Sequence, residues 1–193
     1  MKVVSLKLSM KTTISFVLLA APFLASMLSS IAAQADLSRS TIFAMNTIYI
    51  DRDYTENGVS LQSKQTDTDL RLMRVEKKWS YGAIFSQSAN DSSDAGRSSY
   101  GLTTGYYSDK DFYINFSYFF NSKYSTGGAD YKGNGNEIDL GFVSKITSSF
   151  YAGLMIARKE FKYTDQTIAG VSSTADVAHR ELIPMFTFAV VFQ

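Results

Sequence analysis

The chain has 193 residues, with 19 Lys plus Arg against 18 Asp plus Glu, a single histidine and no cysteine, a length that fits one domain with something removable in front. So even a charge balance gives no basic footprint for nucleic acid. The lack of cysteine excludes a disulfide framework and, with one histidine, the usual zinc constellations.

Residues 1–35 have the three parts of a secretory signal. MKVVSLKLSMK carries Lys2, Lys7 and Lys11 without an acid, ISFVLLAAPFLASML is apolar, and in SSIAAQA the small Ala33 and Ala35 flank Gln34. Cleavage is expected after Ala35. An uncleaved anchor fits less well, because Pro22 and Ser26 interrupt the run and Ile14 to Leu28 falls short of the roughly 20 residues of a spanning helix. The remainder, 36–193, keeps one proline, Pro184, and all twelve tyrosines. That composition favours pleated strands.

From Ser40 onward apolar and polar residues alternate, and no useful window shows helical spacing. Eight extended segments follow in order: TIFAMNTIYIDR, DLRLMRVEKK, SYGAIFSQS, RSSYGLTTGYYS, FYINFSYFFNSKY, NEIDLGFVSKIT, FYAGLMIARKEFKY and RELIPMFTFAVVF. Most have the roughly 9 to 11 residues of a tilted strand crossing a bilayer. Their connections alternate in length. DYTENGVSLQSKQT, ANDSSDAG, STGGADYKGNG and TDQTIAGVSSTADVAH are long and polar, whereas the turns at Trp79, Asp109-Lys110-Asp111 and Ser148-Ser149 are tight. Bacterial outer-membrane barrels alternate in this way, with short turns periplasmic and long loops outside.

Face assignment gives a second expectation. In the fifth segment Phe112, Ile114, Phe116, Tyr118 and Phe120 share a lipid-suited face opposite Tyr113, Asn115, Ser117, Phe119, Asn121 and Lys123. The sixth sets Ile138, Leu140, Phe142 and Ile146 against Glu137, Asp139, Gly141 and Lys145. The fourth sets Tyr100, Leu102, Thr104 and Tyr106 against Ser99, Gly101, Thr103 and Gly105. The first, second and seventh segments leave their facing open. A two-residue turn at Ser148-Ser149 would oppose Asp139 and Arg158 as an inward ion pair, with Arg74, Glu76, Glu137, Lys145 and Glu160 available for a wider network. Charges are expected inside, since one facing lipid near the midplane costs roughly 2 to 4 kcal/mol.

With its signal, eight alternating segments, four long polar connections and aromatic-rich last strand, the chain resembles the small outer-membrane barrels of the OmpA/OmpX type. The resemblance covers 36–193 and is one of architecture. It implies an all-β fold, an eight-stranded antiparallel up-and-down transmembrane β-barrel in the bacterial outer membrane, exported by the cleaved signal and monomeric. Leu182, Phe186, Phe188, Val190 and Phe192 resemble the terminal signal by which the barrel assembly machinery recognises such proteins, although Pro184 interrupts the series and Gln193 follows the final aromatic. The other partners it implies are membrane lipid and lipopolysaccharide. A soluble lipocalin-like barrel would instead place its polar faces outside.

No residue set amounts to a catalytic, cofactor or metal site. His179 has Ser172, Ser173, Asp176 and Glu181 near it in sequence, but a hydrolase needs base and nucleophile within hydrogen-bond reach. Asp91 and Asp94 lack the dense oxygen ligands of a calcium loop. GGADYKGNGN lacks the helix of a nucleotide cradle, and the glycosylation triplets at Asn90 and Asn115 read as coincidental. Tyr54, Asn57, Tyr131, Asn134 and Asn136 supply adaptable contacts in the long connections. The expected role is therefore non-enzymatic: structural, or mediating surface interaction or adhesion through four external loops. The alternatives are a narrow pore or small-solute conduit and, behind it, a lipid A-modifying enzyme.

Overall fold

Period-two alternation becomes eight strands: β1 Ser40–Glu56, β2 Val59–Glu76, β3 Trp79–Asn90, β4 Ala95–Tyr107, β5 Phe112–Thr126, β6 Ala129–Lys145, β7 Phe150–Ile168 and β8 Val171–Phe192. The computed structural model describes residues 40–56, 59–90, 94–108 and 111–192, with backbone alone for 52–56 and 59–63. The expected signal peptide lies outside the described residues. Each strand pairs antiparallel with the next, and β8 returns to β1 to close the barrel. Closure satisfies backbone groups that lipid could not.

The strands are longer than a bilayer crossing requires, reaching 22 residues in β8. The connections expected as long loops instead continue the ladders as hairpins. Thr126 pairs with Ala129 around Gly127-Gly128, and Ile168 with Val171 around Ala169-Gly170. Both turn residues have positive φ in each case, 55° and 80° in the first, 50° and 81° in the second, the geometry that matches strand twist in a two-residue hairpin. The β1–β2 ladder likewise reaches Glu56 and Val59.

The outer face carries an apolar belt. Leu72, Leu102, Ile114, Phe116, Ile138, Leu140, Leu154 and Ile156 are all exposed. Trp79, Tyr81, Phe112 and Phe192 edge it at the short-turn end, and Tyr49, Tyr100, Tyr118 and Phe120 at the hairpin end. In β8 the belt runs from Leu182 to Phe192. Ten steps of about 3.3 Å, tilted about 40°, rise about 25 Å, the height of a membrane belt. From the level of Leu182, which Arg158 opposes, the outer surface turns ionic, with Arg158 Nη2 2.6 Å from Glu160 Oε1 and Arg180 Nε 3.7 Å from the same oxygen. A continuous apolar exterior of this height makes the barrel transmembrane.

Two register details correct the sequence expectations. The β6–β7 connection is a four-residue turn, Ile146 to Ser149, with the Ile146 and Thr147 N–H groups donating to the Phe150 carbonyl at 2.9 and 3.1 Å. Asp139 therefore opposes Ala157, and Arg158 opposes Ile138. One step of register sends Arg158 outward, because the side-chain period is two. Arg74, Glu76 and Glu160 also leave the inward set: Arg74 Nη1 donates to Thr41 Oγ1 on the outside at 3.3 Å. In β5 a bulge opposite Tyr100 and Gly101 places Phe120 and Asn121 both outside, so Lys123 is exposed rather than inward. Gly101 is needed at this bulge, since a Cβ there would run into the Tyr118 carbonyl.

The closing seam is short. Pairing between β1 and β8 covers Thr41–Thr47 and stops at Phe186. Val191 donates its N–H to Ser149 on the β7 side at 2.8 Å, and successive N–H groups of a strand point to opposite neighbours. Position 184 therefore faces its nitrogen to β1, and proline has no hydrogen there to donate.

Candidate functional site

The inward faces form three layers. At the short-turn end the lumen is apolar, with Ile42, Ala44, Met73, Val75, Val143, Met155, Met185 and Val191 in one cluster. At the hairpin end it is aromatic, with Phe119, Phe161 and Tyr163 packed beside Tyr124 and Tyr131. Between them lies a charged layer. The sequence expectation that inward charges fill the lumen holds for this middle layer alone.

Charge pairs in that layer cross the barrel. Arg71 on β2 places Nη2 2.6 Å from Glu137 Oε1 and 2.5 Å from Asp139 Oδ2, both on β6. Lys159 Nζ on β7 lies 2.6 Å from Asp69 Oδ1 and 3.5 Å from Glu137 Oε2, and donates to Ser86 Oγ at 3.2 Å. Arg97 on β4 holds Glu181 on β8 in a bidentate pair, 2.8 Å for each bond, with its guanidinium 4.0 Å from the Phe161 ring centre. Asp67 Oδ1 stands 3.7 Å from the same guanidinium. Arg71, Lys159, Asp69, Glu137 and Asp139 are sealed from solvent, with side-chain exposures of 0 to 1 %. Charges this buried persist because each has an opposite partner; removing one would strand the others.

Two of the sequence's inward acids, Glu137 and Asp139, are central here. Arg71, Asp69, Asp67, Lys159 and Arg97 lie outside the set that the sequence predicts. Arg97 was nonetheless accessible by pattern, two residues before the inward Ser99 on one strand. On β2, facing Leu70 and Leu72 to lipid would have turned Asp67, Asp69 and Arg71 inward.

Above the charged layer is a polar cup of about 160 Å³ lined by Gln65, Ser88, Arg97, Tyr124, His179 and Glu181 among others. His179 meets Tyr124 edge-on at 4.5 Å and Tyr163 at 5.4 Å. Burial lowers its pKa from the ordinary 6.5, with Glu181 opposing the shift and Arg97 adding to it. Ser172 and Ser173 lie seven and six residues away on the same extended strand, about 20 Å at strand rise. They bond instead within their own hairpin, to Thr167 and Gln166. The serines near His179 in sequence are thus out of its reach.

The remaining sequence candidates scatter. Asn115 is buried in the lumen, Asp94 is exposed, and among the described residues no three His, Asp or Glu side chains converge on a metal position. Tyr131 joins the aromatic layer, Asn134 is exposed and Asn136 half-buried on β6. Asp91, Asn57 and the Tyr54 side chain lie outside the described residues.

No family model matches the sequence, and no curated protein matches it. Among solved structures the chain is similar to the outer membrane protein OprG from Pseudomonas aeruginosa, at 11 % identity over 82 % of this chain and 98 % of that one, with a TM-score of 0.46. Neisserial surface protein A is similar at 12 % identity over 79 % and 96 %, TM-score 0.43. The translocator domain of the autotransporter NalP from Neisseria meningitidis is similar at 13 % over 92 % and 70 %, TM-score 0.38. The assignment of this chain as a closed eight-stranded barrel rests on its own strand pairing.

Proposed function

We propose that this protein is a closed, monomeric, non-enzymatic barrel of the bacterial outer membrane that displays long hairpins outside the cell for surface contact. The observation that carries the reading is the Arg71–Glu137 pair, which spans the lumen where side chains are sealed from water. An eight-stranded barrel is just wide enough for its side chains to fill, and here they fill it with an apolar layer, a layer of paired charge and an aromatic layer. Hairpins continued beyond the belt give a rigid platform, and exposed segments on rigid scaffolds are where binding tends to reside. Four connections on one side and two strand ends on the other put the hairpins outside, by the topology of such barrels.

The closed reading is tested by single-channel recording in planar bilayers. The purified barrel should give no resolved openings, and stable conductance would replace the scaffold with a conduit. The non-enzymatic reading is tested by mass spectrometry of lipid A from expressing cells, where a modification lost in His179→Ala would overturn it.

A further inference from the structure

We propose that the cup at the hairpin end binds one neutral sugar ring, the terminal unit of a glycan. This rests on the surface-contact reading above and names its ligand class. The charge balance selects the class first. Arg97, the cation lining the cup, has both terminal nitrogens committed to Glu181 at 2.8 Å, and Asp67 stands behind it. An anion would meet those carboxylates, and a cation would meet a guanidinium. A neutral polyol meets neither penalty.

The remaining lining supplies what hydroxyl groups need. Gln65 is anchored through its Nε2 to Asp67 Oδ2 at 2.7 Å, which fixes the amide and leaves its carbonyl oxygen to accept. Ser88 Oγ donates to Asp67 and accepts from Gln65 Nε2 at 3.4 Å, which leaves it one lone pair to accept from a ligand hydroxyl. Tyr124, held by Tyr131, Tyr163 and His179, is the aromatic side chain of the lining and supplies the apolar contact for the C–H groups of a pyranose.

The aromatic layer also excludes an ammonium cage. Tyr124 lies 5.9 Å from Tyr131 and 5.7 Å from Tyr163, ring centre to ring centre, so the rings contact one another and leave no box between them. At roughly 10–15 Å³ for each water-sized probe, the 160 Å³ cup has room for a ligand on the scale of one sugar ring.

The test is saturation-transfer NMR on the full mature barrel in detergent micelles, its fold checked by circular dichroism. The probes are methyl glycosides of neutral hexoses, with tetramethylammonium and inorganic phosphate as cation and anion comparators. Transfer to the ring C–H protons of a glycoside is expected at millimolar concentration, retained in Tyr124→Phe and weakened about tenfold or more in Tyr124→Ala. Ser88→Ala, which leaves the ring packing intact, should weaken it as well.

No transfer from any glycoside, transfer undiminished in both alanine variants, or preference for tetramethylammonium or phosphate overturns the proposal. Core oligosaccharide released from lipopolysaccharide and an array of other glycans then separate a ligand on the same membrane from one on another surface. A barrel that binds sugar yet conducts would remove the closed-scaffold reading and keep the cup. A silent barrel that binds none would remove the cup alone.

Discussion

Arg71 and Glu137 stand four strands apart in a ring of eight and meet at 2.6 Å, so a single guanidinium bridges the diameter of the barrel. Arg97 and Glu181 do the same one level higher, from β4 to β8. Neither pair is formed until the ring closes, which makes the charged layer a product of closure.

Removal of one bridge partner is therefore severe. Arg71→Ala should destabilise by about 3–5 kcal/mol, because Glu137 and Asp139 keep their buried charge without it. Replacing all three with apolar side chains of similar volume should cost far less. Urea midpoints in micelles compare the two. An Arg71→Ala midpoint equal to wild type would mean that the layer is wetter than its burial implies.

The seam between β1 and β8 should respond to Pro184→Ala. The new N–H points to β1, where the continuing register would bring it to Tyr49. One added hydrogen bond, worth about 0.5–1.5 kcal/mol, is partly offset by the looser unfolded chain that loses a proline. The sharper readout is slower amide exchange at Tyr49. Unchanged exchange there would mean that proline does not set the end of the ladder.

Gly101→Ala should cost about 1–3 kcal/mol or more, since its Cβ meets backbone in the neighbouring strand and cannot be accommodated by a rotamer. Gly127→Ala meets open space but carries positive φ, so it tests strain without collision and should cost less. Heat-dependent gel mobility ranks the pair.

Stability should also fall on mild acidification. The folded barrel holds His179 below its ordinary pKa of 6.5, so the unfolded chain binds the proton more readily. The His179 contribution is complete above about 6.5 and is lost as pH falls below it. His179→Gln should flatten this limb of the profile, and an unaltered slope would assign it to other groups.

At the other end of β8, deletion of Phe192 should impair insertion by the assembly machinery while deletion of Gln193 hardly affects it. Phe192 is exposed on the lipid side and pairs with Thr41 in the closing ladder, so its loss removes both a belt aromatic and a closure contact. Membrane fractionation of the two deletions decides the order, and the reverse result would mean that the recognition signal lies elsewhere.

Alternation alone made the lipid face of β4, β5 and β6 legible, since Leu140 and Asp139 differ too much in transfer free energy to exchange faces. The same rule explains FTFAVVFQ: Phe186, Phe188 and Phe192 turn outward and the strand closes the ring. Where both faces are mixed, as in DLRLMRVEKK, alternation has no sign, and β2 could have been read either way. Turn length was beyond it too, and one residue at Ile146 to Ser149 moved Arg158 from the expected lumen to the membrane edge.

The sequence by itself thus determined the class, the strand count and the polarity of the barrel, because period-two hydrophobicity is a local property fixed by the pleat. Only the tertiary structure decided which charges meet. Arg71 and Glu137 are 66 residues apart in the chain, and their encounter depends on closure, register and bulges summed around the whole ring.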